Sequence, residues 1–216
     1  MSAGSPSETT LGVVWYAVAS DRRRAVSRYR YLDNAAIVAC EPRLARALGS
    51  IAASGVLADV PRAQILPRAT KYFAHEVPRD AAARAAWCDR AVGTIKGSAI
   101  VFLDPDNGIA RHTNSVRHVS DVELKKFATL DAALVVYHHL HRREPHRSQV
   151  TALQQRVSAL LPERAVHVLW YRRGGSRVFL VAPRRCDDSS ITQKLRSFVA
   201  GPWAEHFTHV STMADS

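Results

Sequence analysis

Two carboxylates and an amide surround a proline in "SAIVFLDPDNGIA", residues 98–110. A run of apolar β-formers climbs to Asp104, and the chain then leaves through Pro105, Asp106, Asn107 and Gly108. Carboxylates two residues apart can hold a hard cation such as Mg²⁺ through oxygen, or accept protons from an amine or hydroxyl. An Asx turn with a glycine exit would explain the same letters without any ligand. A second group of reactive types is "YHHLHRREPHR", residues 137–147. On an extended segment His139 and His141 share one side and His138 points to the other. With Arg142 and Arg143 these histidines form either a clamp for phosphate or substrate, a solvated basic loop, or a metal site whose only local acid is Glu144.

The elements that must position these residues alternate between strand and helix. Strands are expected at 11–19, 35–40, 63–66, 99–104 and 132–138. Helices are expected from Pro42 to about Gly55, over 79–95, from the capping box "SDVE" (120–123) to about Ala128, and over 147–161. The segments 165–171 and 177–183 flank "RRGGS" and should form an antiparallel hairpin, followed by a helix near 189–199 and a strand at 206–211. This pattern is an α/β one. It predicts a doubly wound, mostly parallel, Rossmann-like sheet covered on both faces, with a C-terminal antiparallel hairpin. Such sheets bind ligands at the carboxyl ends of their strands. Asp104 and His139 should therefore meet at one edge and open into one cleft. Residues 1–10 and 213–216 read as tails around a single domain at 11–212.

The chain has 30 Lys and Arg against 19 acids, a net charge of +11, and only five of the 30 are lysine. Arginine carries a rigid fork of donors suited to phosphate, so nucleic acid or another anionic ligand is the expected partner. An Arg-rich composition alone is the other account of the charge. Clusters stand at Arg22, Arg23 and Arg24, at Arg142 and Arg143, at Arg172 and Arg173, and at Arg184 and Arg185. "DRRRAVSRYRY" (21–31) interleaves Arg with Tyr29 and Tyr31, which suits either a nucleic-acid path or a solvated loop. Trp15, Tyr16, Trp170 and Tyr171 lie in apolar strands and read as core. The cysteines, Cys40, Cys88 and Cys186, are odd in number and far apart, so neither a disulfide framework nor a zinc site is expected. With no secretory signal and no apolar run of about 18 residues, a cytoplasmic setting away from membranes is expected. No P-loop or GxSxG motif is present.

The doubly wound pattern with a terminal hairpin resembles the class I S-adenosylmethionine-dependent methyltransferase fold, in which an antiparallel strand is inserted beside its neighbour. "VFLDPDNG", counted as the end of the fourth strand, is similar to the [DN]-P-P-[YF] motif of amino-methyltransferases. The nearest likeness is to adenine-modifying methyltransferases of large-subunit ribosomal RNA, whose "ALWYP"-like strand corresponds to "ALVVYHH". The chain also resembles a set of uncharacterised bacterial proteins that share "LGVVWY", "FLDPDNGI" and a "YxHxxR" strand end. The methyltransferase resemblance covers roughly residues 95–212. It implies that Asp104 and a following backbone carbonyl accept hydrogen bonds from a target amine, and that Glu41 holds the ribose of S-adenosylmethionine. Asp106 stands where the second proline would be, and Asn107 where an aromatic would stack on a flipped base. The glycine-rich cofactor turn expected after the first strand is replaced by "WYAVASDRRR", so S-adenosylmethionine should bind weakly or not at all.

Three functions follow from these readings. One is methyl transfer to an amine, with Asp104 accepting, Pro105 shaping the turn and Asn107 orienting substrate. Another is a metal-assisted phosphodiesterase or nuclease, with Asp104 and Asp106 on Mg²⁺ and His139 or His141 moving a proton. The third is a non-catalytic nucleic-acid-binding module that kept the fold.

Overall fold

Runs apolar on alternate or on all positions become strands, and the Ala-, Leu- and Arg-rich stretches become helices. The computed structural model describes residues 9–18, 32–54, 59–110, 115–172 and 176–210. β1 (Leu11–Trp15) is followed by α1 (Ala35–Cys40), α2 (Pro42–Ser54), α3 (Asp59–Arg62), β2 (Lys71–Phe73), α4 (Ala81–Ile95) and β3 (Ile100–Asp104). Next come β4 (Gly108–Ala110), β5 (His118–Ser120), α5 (Asp121–Ala128), β6 (Ala133–His139) and α6 (His146–Leu160). β7 (His167–Tyr171), β8 (Arg177–Ala182), α7 (Asp188–Ala200) and β9 (Phe207–Val210) complete the order.

The main sheet has seven strands in the order β2-β1-β3-β6-β8-β7-β9, while β4 and β5 form a small parallel pair of their own. β1, β2, β3, β6 and β7 run one way; β8 and β9 run the other. β8 lies between β6 and β7 and is antiparallel to both, so the expected hairpin is present with its second strand wedged into the sheet. The fold is α/β and Rossmann-like, with a mostly parallel sheet and antiparallel C-terminal strands. Among the described residues, no helix is long and apolar enough to cross a membrane.

One face of the sheet holds the core. Val101 and Leu103 of β3, Leu134 and Val136 of β6, and Val178 and Leu180 of β8 are buried there with Trp87 and Ile95 of α4. Leu124 and Phe127 of α5 and Val150, Leu153 and Val157 of α6 join the same cluster. The other face is thinner than a sheet evenly covered on both sides. No described residue of α1, α2 or α7 is buried, and Phe102, Val135 and Phe179 are half-buried.

Several local expectations are corrected. Residues 35–40 form α1, not a strand, because the Asn34 side chain accepts from the backbone N–H groups of Ala36 and Ile37, at 3.0 and 3.4 Å. Residues 63–66 form a turn, with Gln64 at φ 49°. β2 at "KYF" lies in a stretch expected to carry no strand; three residues are too few to show a period, and its pairing with Gly12–Val14 is what makes it a strand. β1 ends at Trp15, well short of residue 19. Asp104 therefore closes the third strand of the chain and not the fourth. Thr10, expected in the tail, accepts from Ala99 and Ile100 through its carbonyl and so belongs to the fold.

Candidate functional site

β3 and β6 are adjacent and parallel, so their carboxyl ends lie at the same edge of the sheet. β3 delivers Asp104 there, level with Trp15 of β1. β6 delivers His139, and β8, running the other way, begins at this edge with Arg177 directly opposite His139. Tyr137, two residues before His139 and on its face, brings its hydroxyl within 3.4 Å of His139 Nδ1. Asp104, His139 and Arg177 thus converge from three neighbouring strands.

The turn after Asp104 is locked on both sides. Pro105 is buried. Asp106 pairs with the Arg117 guanidinium. The Asn107 N–H donates to the Arg117 carbonyl at 2.9 Å, and the Asn107 carbonyl accepts from the His139 N–H at 3.4 Å. His138 turns to the opposite side, as its alternation predicts, and accepts at Nδ1 from the Ile109 N–H at 2.9 Å. That bond needs an unprotonated Nδ1. Burial, reinforced by the nearby His118 and Arg156, pushes His138 down to about 4, so it is neutral and structural. Gly108 has φ +104°, and a Cβ there would lie 2.3 Å from His138 Nδ1. Gly108→Ala should therefore cost about 2 kcal/mol through backbone strain and overpacking, read from denaturant unfolding.

The small sheet that carries Arg117 and His118 is fastened by a buried ion pair. Arg84 donates from Nε to Glu123 Oε1 at 2.7 Å and from Nη2 to Oε2 at 2.9 Å. It also donates to the carbonyls of Ser115 and His118, at 2.8 and 2.6 Å. Glu123 completes the expected capping box by accepting from the Ser120 N–H at 2.8 Å.

Charge in the site is finely set. Burial, then the Asp106 charge, raises the Asp104 carboxyl to about 6, while Arg177 pulls the other way. Burial, then Arg177, lowers His139, against which Asp106 acts. At neutral pH the edge therefore holds a neutral imidazole on β6 and, on β3, a carboxyl that protonates readily.

The other expected residues fall as follows. His139 and His141 do not act as a pair, because β6 ends at His139 and the alternation stops there. His139 feels Arg177, Asp106, His146 and Arg142, whereas His141 acts on His138. Gln149 of α6 holds the His141 backbone, accepting from its N–H at 3.1 Å and donating to its carbonyl at 2.8 Å. Arg142 and Arg143 are exposed on this loop. Glu41 links α1 to α2 and stands at the end of no strand, so the ribose position given to it is lost. Arg22, Arg23 and Arg24 lie outside the described residues, as does Arg173. Trp15 and Tyr16 are core, while Trp170 packs against the core and donates from Nε1 to Ser176 Oγ at 2.8 Å.

Arg184 and Arg185 are at the opposite edge, beyond the end of β8, and do not converge with the others. Arg184 pairs with Asp187 at 2.6 Å and Asp131 at 3.3 Å, and Arg185 lies 3.8 Å from Glu163. A depression of about 410 Å³ sits at that edge, lined by Pro162, Glu163, Arg164, Ala165, Arg185 and Asp188. Its Arg164 is committed to the carbonyls of Ala128, Leu130, Ala132 and Ala182, so this is a structural knot rather than a site of chemistry. Among the described residues no three His, Cys, Asp or Glu side chains gather to hold a metal ion. A cation between Asp104 and Asp106 would have to compete with the Arg117 guanidinium.

Arg177, Arg117, His118 and Tyr137 belong to the site and are missed by sequence reading. Tyr137 stood in "YHHLHRREPHR" without a role, and Arg177 stood only as the polar residue opening the second hairpin strand. No protein-family model matches the chain, and no curated protein matches it, so the function rests on this geometry alone.

Proposed function

We propose that the protein binds nucleic acid, or a nucleotide-containing ligand, at the carboxyl edge of its sheet. The observation that carries this reading is the convergence of Asp104, His139 and Arg177 from three adjacent strands, with Arg142 and Arg143 exposed on the neighbouring loop. At the opposite edge Arg164 and Arg184 are engaged by carbonyls and acids, whereas Arg142 and Arg143 are exposed here. Asp104 and His139 can move a proton between them and a bound ligand.

Methyl transfer to an amine draws support from Asp104 and Pro105 at a strand end and from the wedged antiparallel strand, which is the arrangement the resemblance implies. It loses Glu41 and the strand count. S-adenosylmethionine is accordingly expected to leave the melting temperature unchanged, whereas a bound oligonucleotide at about 100 times its Kd adds about 2.7 kcal/mol.

The test of the reading is fluorescence anisotropy with single-stranded and duplex oligonucleotides over a salt series. Affinity should fall steeply with salt, each phosphate contact adding about −0.7 to the log–log slope on single strands and about −0.9 on duplex DNA. Replacing Arg142 and Arg143 together by Ala should reduce the single-strand slope by about 1.4 if both meet phosphates. Unchanged binding would make the loop merely solvated. No binding to DNA or RNA at about 50 mM salt, where phosphate contacts are strongest, would remove the reading.

A further inference from the structure

Most half-buried arginines of the described chain have a structural partner. Arg84 holds Glu123, Arg117 holds Asp106, Arg156 holds Asp121, and Arg164 holds four carbonyls. Arg184 holds Asp187 and Asp131. Arg177 differs. Its Nε is buried and meets no hydrogen-bond partner among the described residues; the Arg156 Nε shares that state, but Arg156 still bonds Asp121 through Nη2, whereas no described carboxylate bonds Arg177. A guanidinium N–H removed from water without an acceptor is costly, so the side chain suits an acceptor supplied by a ligand. The surroundings say which kind. Arg177 stands across from His139 on the adjoining strand, and Tyr137 places its hydroxyl beside the same imidazole. The Arg142 charge reaches His139, and Arg172 is exposed where β7 leaves the same edge. Donors and cations from β6, β8 and two loops thus gather at this edge, with the Asp104 and Asp106 carboxylates on its β3 side. A planar fork of donors with a neighbouring imidazole and hydroxyl suits a tetrahedral oxyanion.

Resting on the reading above, we infer that Arg177 and His139 form a phosphate-binding subsite at the β6–β8 edge, the point at which the ligand's phosphoryl group is gripped. The phosphate can be a backbone diester or the terminal group of a mononucleotide. The geometry is the same for both, and the experiment separates them.

Three probes are used: inorganic phosphate, a nucleoside monophosphate and an unphosphorylated single-stranded oligonucleotide. Each is titrated into the full chain, with binding followed by calorimetry and by the imidazole NMR resonances of His139, assigned with His139→Gln. Wild-type protein should show a His139 shift with at least one probe. Arg177→Met should abolish that shift and weaken the same probe about tenfold or more, as expected for the loss of a charge-assisted contact. Arg177→Lys keeps the charge without the fork, and should restore the salt slope but not the full affinity. Thermal melts of both variants confirm that they are folded. Should Arg177→Met disrupt the fold, the Arg177→Lys comparison decides alone.

Weakened oligonucleotide binding would identify a backbone diester. Weakening confined to the mononucleotide would identify a terminal phosphate. Either outcome supports the subsite. Arg177 variants that bind every probe as the wild type does, while Arg142→Ala/Arg143→Ala loses oligonucleotide, would overturn the subsite and leave the broader reading standing. Phosphate binding that needs Arg177, in a protein that binds no oligonucleotide or nucleotide, would do the reverse. A wild-type protein that binds none of the probes would overturn both.

Discussion

Asp104→Asn is expected to make the protein more stable at neutral pH, by up to about 3 kcal/mol. The folded carboxyl titrates at about 6 against an ordinary 3.8, so the folded chain is the better proton acceptor of the two states. The stability associated with this group is then complete below about pH 4 and is lost as pH rises towards about 6. Asparagine removes the charge and with it the loss. Variant and wild type should unfold alike in urea near pH 3.5 and separate progressively up to pH 7. A variant no more stable than wild type at pH 7.5 would mean that the carboxylate is well solvated or well paired in the fold, and the acid–base role drawn for it would fall. A residue that costs stability in its charged form fits the usual trade between stability and activity if, as proposed, its edge of the sheet binds a ligand.

The largest loss is expected at the Arg84–Glu123 pair. Arg84 is 8% exposed and Glu123 6%, and every bond between them is out of solvent. Removing either partner leaves a buried charge uncompensated, and Arg84→Met or Glu123→Gln should each cost about 3–5 kcal/mol in chemical denaturation. Replacing both with apolar residues should recover only part of that. The carbonyls of Ser115 and His118 and the N–H of Ser120 would still lose their partners. A double variant as stable as wild type would show that these backbone groups find other partners. The pair also matters for the site, because it fastens the segment that presents Arg117 to Asp106. Glu123→Gln should therefore weaken oligonucleotide binding even under conditions where the protein remains folded.

The parts of this fold that were legible in the sequence are the ones set by neighbours along the chain. "AIVFLD" and "AALVVYH" are apolar on both faces and lie in the middle of the sheet, one face buried in the core and the other half-buried. "SDVE" caps its helix as written, since a capping box needs only four residues. "RRGGS" joins the two strands it was expected to join. The errors arose where the deciding partner is distant or the segment short. "AAIVAC" has six residues, too few for its period to separate helix from strand, and the Asn34 cap settles it. "KYF" is a strand only because β1 pairs with it. Of the site, Asp104 and His139 were visible as polar ends of apolar runs. Arg177 was not, because its place beside His139 depends on β8 entering the sheet next to β6. Glu123 was visible as a cap but not as the partner of Arg84, 39 residues away.

The position of β1 has a consequence for how the chain is made. Gly12 pairs with Lys71 on one side, and Leu11 pairs with Ile100 on the other. β1 is thus an interior strand whose two neighbours are synthesised much later, at about 5–20 residues per second. Until then "LGVVW" has two open edges and no sheet to join. The hairpin of β7 and β8, by contrast, can close as soon as it emerges, since its strands are nearly contiguous. Assembly should therefore run against the direction of synthesis, with the C-terminal strands paired early and β1 inserted only once β2 and β3 are in place. Nascent chains halted before β3 would leave β1 without that neighbour, and chaperone capture of such chains should persist until the C-terminal strands have cleared the exit tunnel.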